Sequence, residues 1–415
     1  MLDVKQPRLL SFTLDGGTAL GGQVSVTLSD GVGVLVGRNG AGKSAILEGF
    51  EAISLYAIGR KLNGLQRSSG IPTILQVEIL TPENRQLNYR YELVAIKPLE
   101  DLINESDIDD ANDSDIDDVI SNGSDEMYFS WHDHCQYIDR DKEVLWTTEL
   151  GGTTYSTGDG GQEFTVLGEV SSLRHSHLPK YLRQPIPIEM QWLHAVLKGV
   201  RLLGKGSLRQ TSKRQPCILQ ISSKGLPYST LPGAIGRLSC KIFRLMQTEE
   251  SEEFQSVCRR IGLADKIDIK KFRDTKNAFE NEDDYYLSSI FLDGVDLGFL
   301  SDGTLRVLSI IIEIITSQPS ITTMIEEPET QIHPGLLAKL LSEIDSYTFE
   351  ENLLLSTQSP QVVTWAKPQA INLVHRDKGI TTVRKLKEEE IKQVGEYLFE
   401  EGGLGDWIYS GIIDE

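Results

Sequence analysis

Cysteine is scarce in this 415-residue chain, and the four present (Cys135, Cys217, Cys240, Cys258) lie far apart with no Cys-x-x-Cys pair. Neither a disulfide framework nor a zinc knuckle is supported by that spacing. Long apolar runs are missing too, since none approaches the roughly 18 residues that a membrane span needs. The opening Met1-Leu2-Asp3-Val4-Lys5 lacks the charged-then-apolar layout of a secretory signal. A reduced cytoplasm, with no membrane partner, is the expected setting. Long heptad runs are absent, which argues against coiled-coil arms. What remains is ordinary globular composition, 39% hydrophobic and 25% charged, in a chain long enough for two or three domains.

The net charge of −20 speaks against a general nucleic-acid binder, but it is unevenly spread. Between Arg174 and Arg244 there are thirteen Lys or Arg and one acid, Glu189, a local +12. Between Glu100 and Glu126 there are twelve Asp or Glu and no base, with Ser106-Asp-Ile-Asp-Asp110 recurring as Ser114-Asp-Ile-Asp-Asp118. The acidic stretch reads as a solvated, disordered insertion. It lacks the central glycine and terminal glutamate of a calcium-binding EF-hand loop.

The apolar strand Val32–Val36 runs directly into Gly37-Arg38-Asn39-Gly40-Ala41-Gly42-Lys43-Ser44, a full G-x-x-x-x-G-K-[ST] phosphate loop. Glycines let backbone N–H groups curl around phosphate oxygens, and the helix that follows points its positive end at them. Ala45 to Ala57 has the spacing of that helix. The expected nucleotide-binding set is Gly37, Asn39, Gly40, Gly42, Lys43, Ser44 and Ala45. Lys43 would reach the β- and γ-phosphates of ATP, and Ser44 would ligate Mg²⁺. Downstream, Thr323-Met324-Ile325-Glu326-Glu327-Pro328-Glu329 is an apolar strand ending in acids, as a Walker B element requires. Glu326 is placed to hold Mg²⁺ through water, and Glu327 to polarise the attacking water as general base.

Strand signals at Thr73–Leu80 and Gln86–Ile96 flank this region, and residues 127–172 read as β-hairpins around Gly151-Gly152 and Asp159-Gly160-Gly161. Ile290 to Leu297 reads as a hairpin turning on Asp293-Gly294. After it come a helix over Gly303–Thr316, a strand over Ile321–Ile325, a helix from Pro334 and a strand over Asn352–Ser356. Short strands near Ile371–His375 and Thr381–Val383 and a helix over Lys387–Phe399 close the chain. The fold class is α/β.

Leu300-Ser301-Asp302-Gly303-Thr304-Leu305-Arg306 resembles the LSGGQ-type signature of ABC ATPases and stands just before Walker B, in that family's order. Glu326-Glu327-Pro328-Glu329 with Ile332-His333-Pro334 is similar to the Walker B and D-loop stretch of the RecF/SMC/OLD branch. Ser356-Thr357-Gln358-Ser359-Pro360 resembles its switch, usually Ser-Thr-His-Ser-Pro. The closing Gly403-Leu404-Gly405-Asp406-Trp407-Ile408-Tyr409-Ser410-Gly411 resembles the Leu-Gly-x-x-Trp end of standalone ATPases of this branch, of the kind found in bacterial anti-phage defence systems. The resemblance implies a P-loop ATPase head interrupted by a central α+β insertion. Residues 1–95 and 283–415 would be its two halves; the resemblance does not cover 96–282, where 96–126 reads as the acidic insertion and 127–282 as an inserted, partner-binding domain with the basic stretch.

It also implies a homodimer, or a higher assembly, arranged head to tail. Ser301 and Gly303 would then touch the γ-phosphate held on the partner's loop, although Ser301 or Asp302 could equally be a plain helix cap. A separate effector, such as a TOPRIM-type nuclease, is implied as well, because no nuclease constellation is recognisable here. A RecF-like DNA clamp is the alternative. Gln358 departs from the branch: a glutamine can donate a hydrogen bond to a γ-phosphate but cannot titrate, so hydrolysis is expected to be slow. Gln76 is the candidate for a Q-loop.

The basic run Lys198 to Arg214 (Lys198, Arg201, Lys205, Arg209, Lys213, Arg214) fits nucleic-acid phosphates, an acidic protein partner or a solvated face. His132 with His134, and His175 with His177, have generic spacing and read as surface or packing residues rather than a metal site.

Overall fold

The computed structural model describes residues 6–58, 72–95, 129–138, 144–149, 152–155, 164–167, 187–203, 214–222, 225–231, 233–272, 286–316, 322–347, 352–393 and 408. The acidic repeats, His175, His177, Lys205, Arg209, Lys213 and, apart from Ile408, the closing 403–411 motif lie outside the described residues.

The chain opens on an antiparallel pair, β1 (Arg8–Asp15) and β2 (Val24–Thr27), then enters β3 (Val32–Val36), which is buried from Gly33 onward. Burial on both faces is what a central parallel strand requires. The glycine loop leads from β3 into α1 (Lys43–Ala57), whose Ile46, Leu47, Phe50 and Ile53 are buried. β4 (Ile74–Leu80) and β5 (Gln86–Ala95) pair as a hairpin, and β4 alternates buried with half-buried residues, the mark of a sheet with one covered face. Four more strands follow: β6 (Phe129–Tyr137), β7 (Val144–Glu149), β8 (Gly152–Tyr155) and β9 (Phe164–Leu167). Each adds beside the last, giving an antiparallel sheet of order β2-β1-β4-β5-β6-β7-β8-β9. Phe12 of β1 stacks on Phe50 with ring centroids 3.9 Å apart, which fastens this sheet to α1.

The middle of the chain supplies α2 (Ile188–Lys198), β10 (Arg201–Leu203), β11 (Ile218–Ile221), β12 (Pro227–Ser229), α3 (Gly233–Leu245), α4 (Ser251–Ile261) and β13 (Ile267–Phe272). β14 (Tyr286–Leu292) then turns into β15 (Val295–Asp296) through Asp293 and Gly294, both at positive φ (47° and 84°), as a type I′ turn demands. The remaining elements are α5 (Asp302–Ile315), β16 (Thr322–Glu326), α6 (Pro334–Tyr347), β17 (Asn352–Thr357), α7 (Pro360–Trp365), β18 (Ile371–Asp377) and β19 (Ile380–Lys385). Residues 388–393 are helical, and the rest of the helix expected to 399 lies outside the described residues.

A six-stranded sheet of order β10-β16-β17-β3-β18-β19 forms the centre, parallel through β18 with β19 antiparallel at one edge. A third sheet has the order β12-β11-β14-β13, with β15 on β14. Residues 127–282, expected as an inserted domain, thus contribute strands to all three sheets. One apolar core joins Leu219, Ile242 and Phe254 from that segment to Leu308, Ile325 and Leu355. A buried ion cluster reinforces the union. Glu313 of α5 accepts from Arg201 of β10 at 2.8 Å and from Lys241 of α3. Burial pushes the Glu313 carboxyl up, but the two cations outweigh it and hold its pKa below the ordinary value.

Candidate nucleotide site

Three parallel strands deliver the expected side chains to one edge of the central sheet. In register, Glu326 of β16 stands beside Ser356 of β17, which stands beside Leu35 of β3. The strands therefore finish level, and they are followed respectively by Glu327, Gln358 and the glycine loop. With strands about 4.8 Å apart, the loop and the paired acids face each other across roughly 10 Å. The carboxyl edge of parallel strands is where α/β sheets bind ligands.

The loop side is built from backbone. Gly42 takes φ 105°, and a Cβ there would lie 2.5 Å from Oγ1 of Thr381, so glycine is needed on both counts. α1 begins at Lys43 with no side-chain cap and no acid in its first turn, so its dipole favours an incoming anion. Lys43 is only 5% exposed, and its ammonium donates to the carbonyls of Gly37 (2.7 Å) and Arg38 (3.1 Å). Burial lowers the Lys43 pKa, while Glu327, Glu329 and Glu326 act in the opposite direction. Asn39 and Gly40 are exposed at the loop, Ser44 is exposed on the first helical turn, and Ala45 is half-buried beside it. A cavity of about 650 Å³ borders the loop, lined by Arg38, Asn39, His375, Arg376 and Arg384 among others. Backbone donors, an ammonium and an uncapped helix end fit a phosphate chain. The Ser44 hydroxyl and the Glu326 carboxylate fit a magnesium ion that takes its other ligands from phosphate and water.

The acid side is built from side chains. Glu327 sits at φ 44°, a left-handed backbone that costs a non-glycine residue about 1–3 kcal/mol and must be held from outside. Its N–H donates to the Ser356 carbonyl at 2.8 Å. Its own carbonyl accepts from Nη2 of Arg306 at 2.9 Å, and the same nitrogen reaches the Glu326 carbonyl at 2.5 Å. Arg306 comes from α5 and is buried, which lowers its pKa against the pull of Glu329, Glu326 and Glu327. The Glu327 carboxylate accepts from Nε2 of Gln358 at 3.0 Å and from the Thr330 hydroxyl at 3.3 Å. Glu329 accepts from the Thr357 hydroxyl (2.8 Å) and from the Gln358 N–H (3.1 Å).

Gln358 is therefore in direct contact with Glu327. Glu329 and Arg306 were not anticipated. The available signal for Arg306 was one guanidinium inside an apolar helical run; for Glu329 it was a third acid after Walker B.

Ser301 is the cap of α5: its hydroxyl accepts from the Thr304 N–H at 3.1 Å. A Cβ on Gly303 would lie 2.2 Å from the Gln331 carbonyl, so the first turn of α5 lies directly against the turn that follows Walker B. Gln76 lies mid-strand in β4, in register between Thr13 and Arg90. His134 is hydrogen-bonded at both ring nitrogens, to Thr147 (3.1 Å) and Gln136 (3.3 Å), which is a packing role. Among the described residues no group of three or more His, Cys, Asp or Glu could hold a metal ion, and no helix is long and apolar enough to cross a membrane.

Residues 245–364 match the family model described as "AAA domain, putative AbiEii toxin, Type IV TA system". That span runs from the end of α3 through the signature-like segment, Walker B and Gln358, and it is less than half of the chain. No curated protein matches the chain. Among solved structures, an Smc head bound to the C-winged helix domain of ScpA is similar at 12% identity and a TM-score of 0.42, covering 92% of this chain and 99% of that one. The SMC head domain from Thermotoga maritima is similar at 13% identity and a TM-score of 0.36, covering 92% and 99%. An Smc head from Pyrococcus furiosus, with an extended coiled coil and bound to the C-terminal domain of ScpA, is similar at 12% identity and a TM-score of 0.40, covering 95% and 100%. Superpositions this loose carry no argument about function. The weight rests on the chain's own strand order, its motifs and the family match.

Proposed function

We propose that this chain, whose fold is that of an ABC/SMC-type P-loop ATPase, binds ATP with Mg²⁺, hydrolyses it slowly in a head-to-tail homodimer, and regulates a separate effector in anti-phage defence. The observation that carries the reading is the level finish of β3, β16 and β17, which faces the phosphate loop with Glu326, Glu327 and Gln358. Lys43 would exchange its two carbonyl contacts for phosphate oxygens. Ser44 and Glu326 would hold the Mg²⁺, whose charge offsets that building on the phosphates. Glu327 would take a proton from the attacking water through a lone pair that the Gln358 amide, which orients its carboxylate, leaves free.

The neutral amide of Gln358 supplies a donor without charge, and this supports a site that holds ATP longer than a histidine switch would. Ser301 and Gly303, at the N-terminus of α5, would complete the partner's site through backbone donors. The effector reading rests on the resemblance.

The test compares wild type with two variants in ATP binding, ATP turnover and light scattering. Lys43→Ala should lose ATP binding, whereas Glu327→Gln should keep ATP and accumulate as a dimer with it. Turnover at the wild-type rate in Glu327→Gln would remove the assignment of the base. An ATP-loaded Glu327→Gln protein that stayed monomeric would remove the dimer. Pull-down with that variant then tests for the effector.

One observation favours the second reading, a RecF-like clamp on DNA. Arg237, Lys241 and Arg244 are exposed on α3 at i, i+4 and i+7, with Arg201 brought beside Lys241 by Glu313. Such spacing suits a run of phosphates. Reversing these charges should abolish a steeply salt-dependent DNA affinity if that reading holds.

A further inference from the structure

We propose that Glu329 is a positioning residue that holds the switch so that Gln358 faces Glu327, and that it thereby sets the rate of hydrolysis at the site read above. The chain passes Glu329 three residues after β16, in the short turn between Glu327 and Gln331, both of which have left-handed backbone (φ 44° and 66°). Two backbone bonds close that turn: the Thr330 N–H donates to the Glu327 carbonyl at 3.0 Å, and the Ile332 N–H to the Glu329 carbonyl at 3.2 Å.

From this platform one carboxylate oxygen of Glu329 takes two donors, one from the last residue of β17 and one from the residue after it. These are the Thr357 hydroxyl at 2.8 Å and the Gln358 backbone N–H at 3.1 Å. Thr357 is fully buried, and its Oγ1 also accepts from the Ser359 N–H at 2.9 Å. The backbone on both sides of Gln358 is therefore fixed to Glu329, directly or through Thr357. From that backbone the Gln358 side chain reaches across, and its Nε2 donates to Glu327 at 3.0 Å.

One acceptor oxygen thus holds both donors of the switch. Removing it strands a buried hydroxyl and a backbone N–H, and the switch can recover partners only by moving. A movement of about 1 Å at a reacting centre costs roughly 100-fold in rate. The second oxygen of Glu329 is buried and has no hydrogen-bond partner among the described residues, and the brace runs through Oε1. Glu329 touches neither the loop nor the Mg²⁺ residues in the contacts above. Beyond the field its charge places on Lys43 and Arg306, its influence on the chemistry passes through Gln358.

This inference rests on the ATPase reading, so its test pairs turnover with a measurement made without nucleotide. Hydrogen–deuterium exchange of the peptide spanning 356–359 reports the Gln358 N–H directly. In Glu329→Ala the exchange should quicken at least about 10-fold, while kcat falls about 10- to 100-fold and ATP affinity stays within about threefold. Glu329→Gln keeps an oxygen able to accept both donors, so it should restore slow exchange and most of the rate.

Unchanged exchange in Glu329→Ala would overturn the brace, whatever the turnover. Unchanged kcat with quickened exchange would overturn its control of the rate. A Glu329→Gln as fast to exchange and as slow to turn over as Glu329→Ala would show that charge, not the acceptor, matters, and would overturn the proposal too. If wild type itself hydrolysed no ATP, the ATPase reading would fail, and the exchange data alone would still decide the brace.

Discussion

The two walls of the candidate site are made of different material. The phosphate loop is held by backbone: a left-handed glycine, a helix start and a lysine folded onto its own carbonyls. The opposite wall is a net of side chains in which Arg306, Glu327, Glu329, Thr357 and Gln358 fix one another. A backbone wall tolerates almost no added atom but few of its side chains matter. A side-chain wall can change its partners, and its geometry depends on every member. The first is suited to holding a ligand, the second to being switched.

Substitutions at the two walls should separate those roles, and the largest effect belongs to the loop. Gly42→Ala adds a methyl 2.5 Å from the Thr381 hydroxyl at a backbone φ of 105°. Strain of this kind, added to the overlap, should weaken ATP binding about 100-fold or more, as read by titration with a fluorescent ATP analogue. A loop that kept wild-type affinity with alanine there would end the claim that backbone geometry governs this wall.

Gly303→Ala comes next and acts on the other wall. Its Cβ would lie 2.2 Å from the Gln331 carbonyl, so α5 and the turn after Walker B must part. Affinity measured on the isolated chain should hardly move, while kcat falls about 10- to 100-fold. A fall in affinity equal to that in kcat would mean that the two walls do not act separately.

Gln358→Ala should be milder, at about 10-fold in kcat. It deletes one donor to Glu327 but leaves the base and the phosphate loop intact. Gln358→His restores a ring donor that can carry charge, so the rate should rise above wild type if the neutral amide is what slows turnover. A histidine variant no faster than wild type would leave the slow step elsewhere.

The backbone wall was the legible one. A Val-rich strand, the glycine spacing and the apolar periodicity of α1 are local features, and Val32–Val36 and Lys43–Ala57 stand where they were expected. Asp293-Gly294 likewise carries its turn in two residues. The side-chain wall was legible only in outline. Glu326 and Glu327 could be picked out at the end of an apolar strand and Gln358 by resemblance, but their mutual contacts join β16 to β17, and Arg306 reaches in from α5.

Pairings between distant segments were hidden for the same reason. β10 is three residues long, yet it pairs in parallel with Thr323 to Ile325 and so places the Walker B strand inside the sheet. Nothing in Arg201-Leu202-Leu203 announces that. β6 to β9 could be read as hairpins, but not as an extension of the β1–β5 sheet, because one covered face looks alike in either sheet.

The smallest effect is expected away from both walls, at the cluster that ties β10 and α3 to α5. The Glu313 side chain is 3% exposed, while Arg201 and Lys241 remain about half exposed. Glu313→Ala therefore leaves behind two cations that water can still reach, and it should cost about 1–3 kcal/mol in urea denaturation with ATP affinity unchanged. The sign of its pH dependence follows from the direction of its shift. A carboxyl whose folded pKa is depressed stabilises the fold above its unfolded pKa, and that contribution disappears as the pH falls through the folded value. The gap between wild type and Glu313→Ala should thus be full at pH 7 and narrow below about pH 4. A gap that stayed constant into acid would mean that Glu313 stabilises the fold by packing rather than by its charge.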